Sequence, residues 1–492
     1  MSFKVRNLCS LSMMFLLSVI AADAQSTDLR LVEAARQREK EVVRSLLKQP
    51  VAISARQPDG ATALHWAAHW DDLETADLLI TAGAELNAAN DYGVTALSLA
   101  CTNANAAMVE MLLKAGADAN SRLLTGETLL MTCARAGSAD AVKSLVSRGA
   151  NVNSRETESG QTALMWAVAQ SHASVAQVLI EHGADVRARS KNGFTPLMFA
   201  ARAGDVESAG VLLAAGANVN EALPVPGRPE GSGEIPAGSM NPLLMASASG
   251  HESLAIFLLE KGADPNAWDG GAAAIHYALL RGMATIGSVP RANYVSFLFR
   301  PNLTELVKAL LGRGANPNVR LVSSAVTGGT GGLRSAAGAT PFLLAAASGD
   351  TSLMRFLLAN GADPIMPTRA GVTPLMVAAG MNRGNSRPDD EANAFRDALE
   401  TVKLALELGN DVHAVDNRGQ TALHGAAYTG SDPIVQLLVD NGANVNAKDK
   451  SGETPWSLAV ALNNIGDILH TSTGNLLLKL GATPLTAADF PK

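Results

Sequence analysis

The sequence predicts an all-α solenoid, a stack of helix-turn-helix units joined by short β-hairpin fingers. Three observations predict it. A turn glycine recurs at Gly60, Gly93, Gly126, Gly160 and Gly193, a period of 33 or 34 residues, and later units open near 239 and 271 and at 338, 371, 419 and 452. A threonine stands two residues after many of these glycines, with proline following at Thr195-Pro196, Thr340-Pro341 and Thr373-Pro374. Units then carry an apolar run at helical spacing closed by glycine, as in VEMLLKAGA at 109–117.

Taken in order, residues 1–24 place Lys4 and Arg6 before the apolar run 8–20 and finish in Ala22-Asp23-Ala24. That is the layout of a cleavable secretory signal, cut after Ala24. The run is shorter than the roughly 20 apolar residues a membrane span needs. The expectation is a mature chain in the periplasm or secreted, without stable membrane insertion. Losing Lys4, Arg6 and Asp23 takes the formal charge from −7 to −8. Nucleic-acid binders usually show a basic excess, so no nucleic-acid partner is expected. Cys101 and Cys133 are the only cysteines beyond the leader. An oxidising compartment permits a bridge between them, and spacing alone leaves that open.

Residues 25–59 read as a capping helix pair without the Thr-Pro start, and 60–192 as four regular units. In each unit the threonine caps a helix whose first position tolerates proline, because the missing N–H has no partner there anyway. Ala67-Ala68 and Ala200-Ala201 keep these first helices slim enough for close approach. The closing glycine accepts the left-handed conformation that ends the second helix. Residues 193–418 hold four insertions. Two lengthen fingers, PVPGRPEGSGEIPAGS by 13 residues and SSAVTGGTGGLRSAA by 14. Two lie between helices, RGMATIGSVPRANYVSFLFRPNL adding 20 residues and GMNRGNSRPDDEANAFRDA adding 15. The insert at 283–303, with Tyr294, Phe297 and Phe299, is apolar enough either to pack on its own stack or to meet a partner. Residues 419–492 close the chain with two further units, the last one lengthened.

The patterns T-[PA]-L-[HM]-x-A-A and L-L-x-x-G-A-[DN]-x-N, over nearly all of 28–492, resemble the ankyrin-repeat family. The resemblance implies an ankyrin-repeat solenoid whose fingers and first helices line a concave binding face. It also implies structural roles for His65, His276 and His424, which stand at the family's histidine position.

Trp66, Trp166, Phe199 and Tyr277 share one position, six residues after the opening glycine. Either they pack helix against helix or they form an aromatic stripe open to a partner. Trp70, beside His69, occupies a position the family usually exposes. Arg135, Arg202 and Arg281 end first helices, while Arg334 and Arg369 sit in fingers. With Trp66, His69, Trp70, Trp166 and Tyr277 they make up the expected protein-binding set.

No catalytic, metal or cofactor residues are expected. His65 and His69 are four apart, but no third ligand accompanies them. The glycine-rich TGGTGGLRSAAGATP at 327–341 lacks the lysine and the spacing of a phosphate loop. No G-x-S-x-G, H-E-x-x-H or Cys-x-x-Cys occurs. The expected function is a secreted or periplasmic scaffold that binds another protein. An exported effector, or a hydrolase with an insert-built site, are the alternatives.

Overall fold

The computed structural model describes residues 28–223, 240–269, 271–279, 302–322, 337–381, 391–460 and 469–486. They fall into two compact units, Met1–Asn218 and Val219–Lys492. Both are built only from helices and turns among the described residues, so the expected all-α solenoid holds in each.

In the first unit the pair Arg30–Arg36 and Lys40–Leu46 is followed by five further pairs. Their first helices are Ala63–His69, Ala96–Thr102, Leu129–Ala136, Ala163–Ala169 and Pro196–Ala203. Consecutive first helices pack side by side, and so do consecutive second helices. The alanines explain the close stacking, since Ala67, Ala68, Ala200 and Ala201 are all at most 1% exposed. Leucines such as Leu64, Leu79 and Leu112, each no more than 1% exposed, fill the space between layers.

The capping threonines behave as their chemistry dictates. Thr95 Oγ1 accepts from the Ser98 N–H at 3.2 Å, and Thr340 Oγ1 from the Leu343 N–H at 3.3 Å. Where histidine replaces the third residue of the helix, the same amide is used in reverse. The Thr62 N–H donates to His65 Nδ1 at 3.1 Å, which leaves the ring proton on Nε2 to donate to the Val94 carbonyl at 2.9 Å. His276 and His424 repeat the arrangement onto Val319 and Glu453 at 3.1 and 3.3 Å. His65 and His424 therefore tie their own units to the next, and His276 binds the turn that closes its own unit.

Two other devices join neighbouring units. Asparagines at the close of the second-helix turn bridge forward: Asn153 Nδ2 donates to the Gly183 carbonyl at 2.9 Å while its Oδ1 accepts from the Asp185 N–H at 2.9 Å. In the second unit Asn266 and Asn318 do the same with Gly314 and Gly361, at 3.1 and 2.9 Å. The fingers are also linked, as where the Asp91 N–H meets the Asp59 carbonyl at 2.9 Å. These fingers are hydrogen-bonded turns rather than strands. Among the described residues only two isolated antiparallel bridges occur, Arg122 with Thr128 and Trp268 with Ala273.

Cys101 and Cys133 form a disulfide, closing the question the sequence left open. It joins the first helices Ala96–Thr102 and Leu129–Ala136, its Cα atoms are 4.5 Å apart, and both residues are fully buried. In the turn after the first helix, glycine takes the left-handed conformation at Gly137 and Gly204. Arg38, Asp71, Ala104 and Ser171 hold that same turn at φ between 54° and 64°, where a side chain is strained. No helix among the described residues is long and apolar enough to cross a membrane.

Candidate functional site

The 33-residue period puts equivalent side chains at equivalent places on consecutive first helices. Six residues after the opening glycine lie Trp66, Trp166 and Phe199; nine after it lie His69, Arg135 and Arg202. In the first unit these two positions come together as one stripe of aromatic rings and guanidinium groups.

The stripe begins at the first regular unit. Trp66 and Trp70 are stacked at 25° with centroids 6.5 Å apart, and His69 meets their edges at 5.6 and 4.6 Å. Trp66 is half-buried and donates through Nε1 to Gln57 Oε1 at 2.9 Å. Trp70 is 40% exposed although it is a large apolar ring, and its Nε1 donates to the Arg36 carbonyl at 3.1 Å. Arg36 and Arg38 hold their guanidinium carbons 5.8 Å from the rings of Trp66 and Trp70 respectively. Asn103 Nδ2 fixes the helix end beneath them by donating to the His69 carbonyl at 3.0 Å and to Asp71 Oδ1 at 3.1 Å.

Further along, the exposed Arg135 lies over the half-buried ring of Trp166 at 4.9 Å, and the exposed Arg202 over Phe199 at 5.0 Å. Trp166 Nε1 is buried with no hydrogen-bond partner. Phe199 itself is only 4% exposed, so there the guanidinium rather than the ring meets solvent.

Tyr277 departs from the expectation of a ring open to a partner. It is fully buried, and its hydroxyl donates to Asp269 Oδ2. The phenol can enter the core because a carboxylate answers its only polar atom, which leaves nothing for a partner to touch. Arg369 is an exposed finger residue whose N–H donates to the Ala337 carbonyl at 2.7 Å. Arg281 and Arg334 lie outside the described residues, as do most of the four insertions and the leader.

Arg36 and Arg38 were missed in the sequence because they lie in the capping pair, before the first Thr-start. A signal was present. Arg36 stands 33 residues before His69, in the same register as Arg135 and Arg202. Two exposed finger-tip side chains, Tyr92 at 70% and Leu124 at 76%, also carry no repeat signature. Other finger arginines are structural: Arg122 Nη1 donates to the Gly126 carbonyl at 3.1 Å and to the Arg155 carbonyl of the next finger at 3.3 Å. Arg155 reaches Gly160 and Arg189 in the same way.

The buried histidines are electrostatically prepared to stay neutral. Burial lowers the pKa of His276 to about 4 and moves His65 and His424 in the same direction. Each has Nδ1 and Nε2 committed to repeat contacts, so the His65 and His69 pair does not offer a metal two open ligands. No cluster of three or more metal-ligating side chains occurs among the described residues.

Models of ankyrin repeats match residues 31–123, 130–222 and 392–487, and further ankyrin models match 238–286 and 337–369. The chain belongs to the ankyrin-repeat family. Over 30% of its length it is 36% identical to human Ankyrin repeat domain-containing protein 63, covering 37% of that protein. It is 32% identical over 51% of its length to human Ankyrin repeat and SOCS box protein 16, covering 55% of that protein. A shorter match, 33% identical over 24% of the chain, covers 5% of the Drosophila melanogaster Neurogenic locus Notch protein. The chain thus spans well under two thirds of each relative. Ankyrin repeats are generally scaffolds for contact between proteins, and this chain has that architecture. These relatives are eukaryotic, and a further match is viral, so the secreted or periplasmic character expected from the sequence finds no support in them.

Proposed function

We propose that the chain is a secreted or periplasmic ankyrin-repeat scaffold that binds another protein through the first-helix face of the unit Met1–Asn218, and that the insertions within 193–418, which belong to the other unit, make contacts of their own. The observation that carries this reading is the cluster of Trp66, His69 and Trp70 flanked by Arg36 and Arg38. Tryptophan and arginine are the residue types most enriched at binding hot spots. A helix end that leaves Trp70 40% exposed keeps apolar area in water that a partner would remove.

The leader-like residues 1–24 and the buried Cys101–Cys133 bridge both favour an oxidising destination. The reading is non-enzymatic. It is supported by the commitment of the three pKa-lowered histidines to contacts within and between repeats, which leaves them without a free acid or base function.

The test is affinity capture from the native periplasm or culture medium with the full chain and with a Trp66→Ala, Trp70→Ala variant. A partner held by the parent and lost by a variant of unchanged helical circular dichroism supports the reading. Equal capture by both would remove this face as the site. Cell fractionation decides the destination separately, and recovery of the chain in the cytoplasm with both thiols free would overturn that part.

A further inference from the structure

We infer that the segment taken by this face is an extended acidic peptide, lying across the first helices with carboxylates on Arg36 and Arg135 and apolar side chains on Trp66, Trp70 and Trp166. The inference rests on the protein-binding reading above and specifies the partner's chemistry.

Charge is the first argument. The chain as a whole carries −7, yet its aromatic stripe is topped by guanidinium groups at 5.8, 4.9 and 5.0 Å from successive rings. A guanidinium is a planar fork of five donors matched to a carboxylate, and stacking on a ring holds it in place before a ligand arrives. The carboxylates that already face the stripe are weak competitors. Glu33 lies 3.3 Å from Arg36 with both side chains about half exposed, and Glu127 lies 4.0 Å from Arg135. An exposed pair such as Arg36–Glu33 contributes only about 0 to 1 kcal/mol, so an incoming carboxylate can replace it, and Glu127, 18% exposed, stands too far from Arg135 for a hydrogen bond. Beneath Arg135, the unpartnered Trp166 Nε1 marks the one ring of the stripe whose donor the fold has not answered; Trp66 and Trp70 donate to Gln57 and to the Arg36 carbonyl.

Spacing is the second. Arg36 and Arg135 stand on first helices three steps apart in the stack, as do the rings of Trp66 and Trp166 that they cover. Packed helices are about 8–10 Å apart, so the two guanidinium sites are separated by about 24–30 Å. An extended chain advances about 3.3 Å per residue, which converts this gap to about eight residues. The fitting ligand is a segment of about ten residues with one acidic residue near each end. Between Arg36 and Arg135 the equivalent position is held by His69 and Thr102, neither of them a guanidinium, so no further carboxylate is called for in the middle.

The interleaved Glu33, Asp71 and Glu127 argue against a densely charged polyanion. A nucleic acid or polyphosphate would bring a negative charge to every step of the stripe, against these carboxylates and a net negative chain. A peptide with sparse, matched acids avoids that repulsion.

The test uses the full chain and a fluorescent ten-residue peptide with aspartate near each end, about eight residues apart, and leucine or phenylalanine between them. Binding is read by anisotropy and by tryptophan fluorescence. The peptide should bind at least about tenfold more tightly than the same peptide with asparagine for aspartate. Arg135→Ala should cost a similar factor, Arg135→Lys should restore part of it, and Lys143→Ala on a second helix should change nothing. Equal affinity for the asparagine peptide, an unaffected Arg135→Ala, or stronger binding of an oligonucleotide or polyphosphate of similar length would each overturn the inference. If Trp66→Ala, Trp70→Ala abolishes capture of a native partner while the acidic peptide fails to bind, the protein-binding reading stands and only the acidic ligand falls.

Discussion

Acidification should weaken the second unit through His276, and the size of the effect follows from its burial. The ring is completely enclosed, its Nδ1 accepts the Ala273 N–H at 3.0 Å, and its Nε2 proton goes to the Val319 carbonyl. Protonation would put a proton on Nδ1, break the first hydrogen bond and leave a charge without water. Burial accordingly lowers the folded pKa to about 4, from an unfolded value of about 6.5. Because the folded pKa is the lower one, the unfolded state takes up more protons as pH falls. Stability is then complete above about pH 6.5, is lost as pH falls toward about 4, and levels off below that. Linkage puts the loss between pH 7 and pH 5 at about 2 kcal/mol, and at about 3 kcal/mol by pH 4. The perturbation is His276→Gln, which removes the titration. The assay is native-state hydrogen exchange of amides in Ala274–Ala278, corrected for the intrinsic pH dependence of exchange. Local readout matters because repeats open in parts and a single global transition is not assured. The parent should lose about 2 kcal/mol more than the variant between pH 7 and pH 5. A difference between the two that stays constant across that interval would refute the argument.

Three further outcomes are expected. Reducing the Cys101–Cys133 bridge, which closes a separation of 32 residues, should destabilise the first unit by about 4 kcal/mol in denaturant titration; two titratable thiols in the denatured, unreduced protein would contradict the bridge. Ala104→Gly should stabilise by about 1 kcal/mol, since Ala104 holds φ 57° where Gly137 and Gly204 hold the same turn without strain. A lower melting temperature for that variant would show that the turn is not the source of strain. Asn153→Ala removes both forward hydrogen bonds and should cost about 1–3 kcal/mol, seen as faster exchange at Asp185, whereas unchanged protection there would mean water replaces the side chain.

Much of the first unit was legible because local chemistry and repetition agree there. The Thr-Pro starts, the glycine stops and the alanine pairs need only neighbours in sequence, and each took the conformation its residue type favours. The disulfide was not legible. A separation of 32 residues says nothing about distance until the repeat places Cys101 and Cys133 on adjacent helices, 4.5 Å apart at Cα. The site was half legible. The tryptophans and Arg135 stand out in the repeat register, but whether a ring at that register faces solvent depends on what packs beside it. Tyr277 shows the limit: it shares a register with Trp66, yet Asp269 offers its hydroxyl a buried acceptor and the ring goes inside.

The sequence by itself determined the architecture, because a 33-residue unit with caps at fixed offsets has one economical way to bury its apolar faces, against copies of itself. It also determined which registers recur on successive first helices. Only the tertiary structure decided which side chains at those registers meet. Arg36 reaches Trp66 and Arg135 reaches Trp166 across unit boundaries, contacts between residues about 30 apart in the chain. The physical reason is that exposure and pairing are properties of the stacked surface, set by neighbours that a single repeat does not contain.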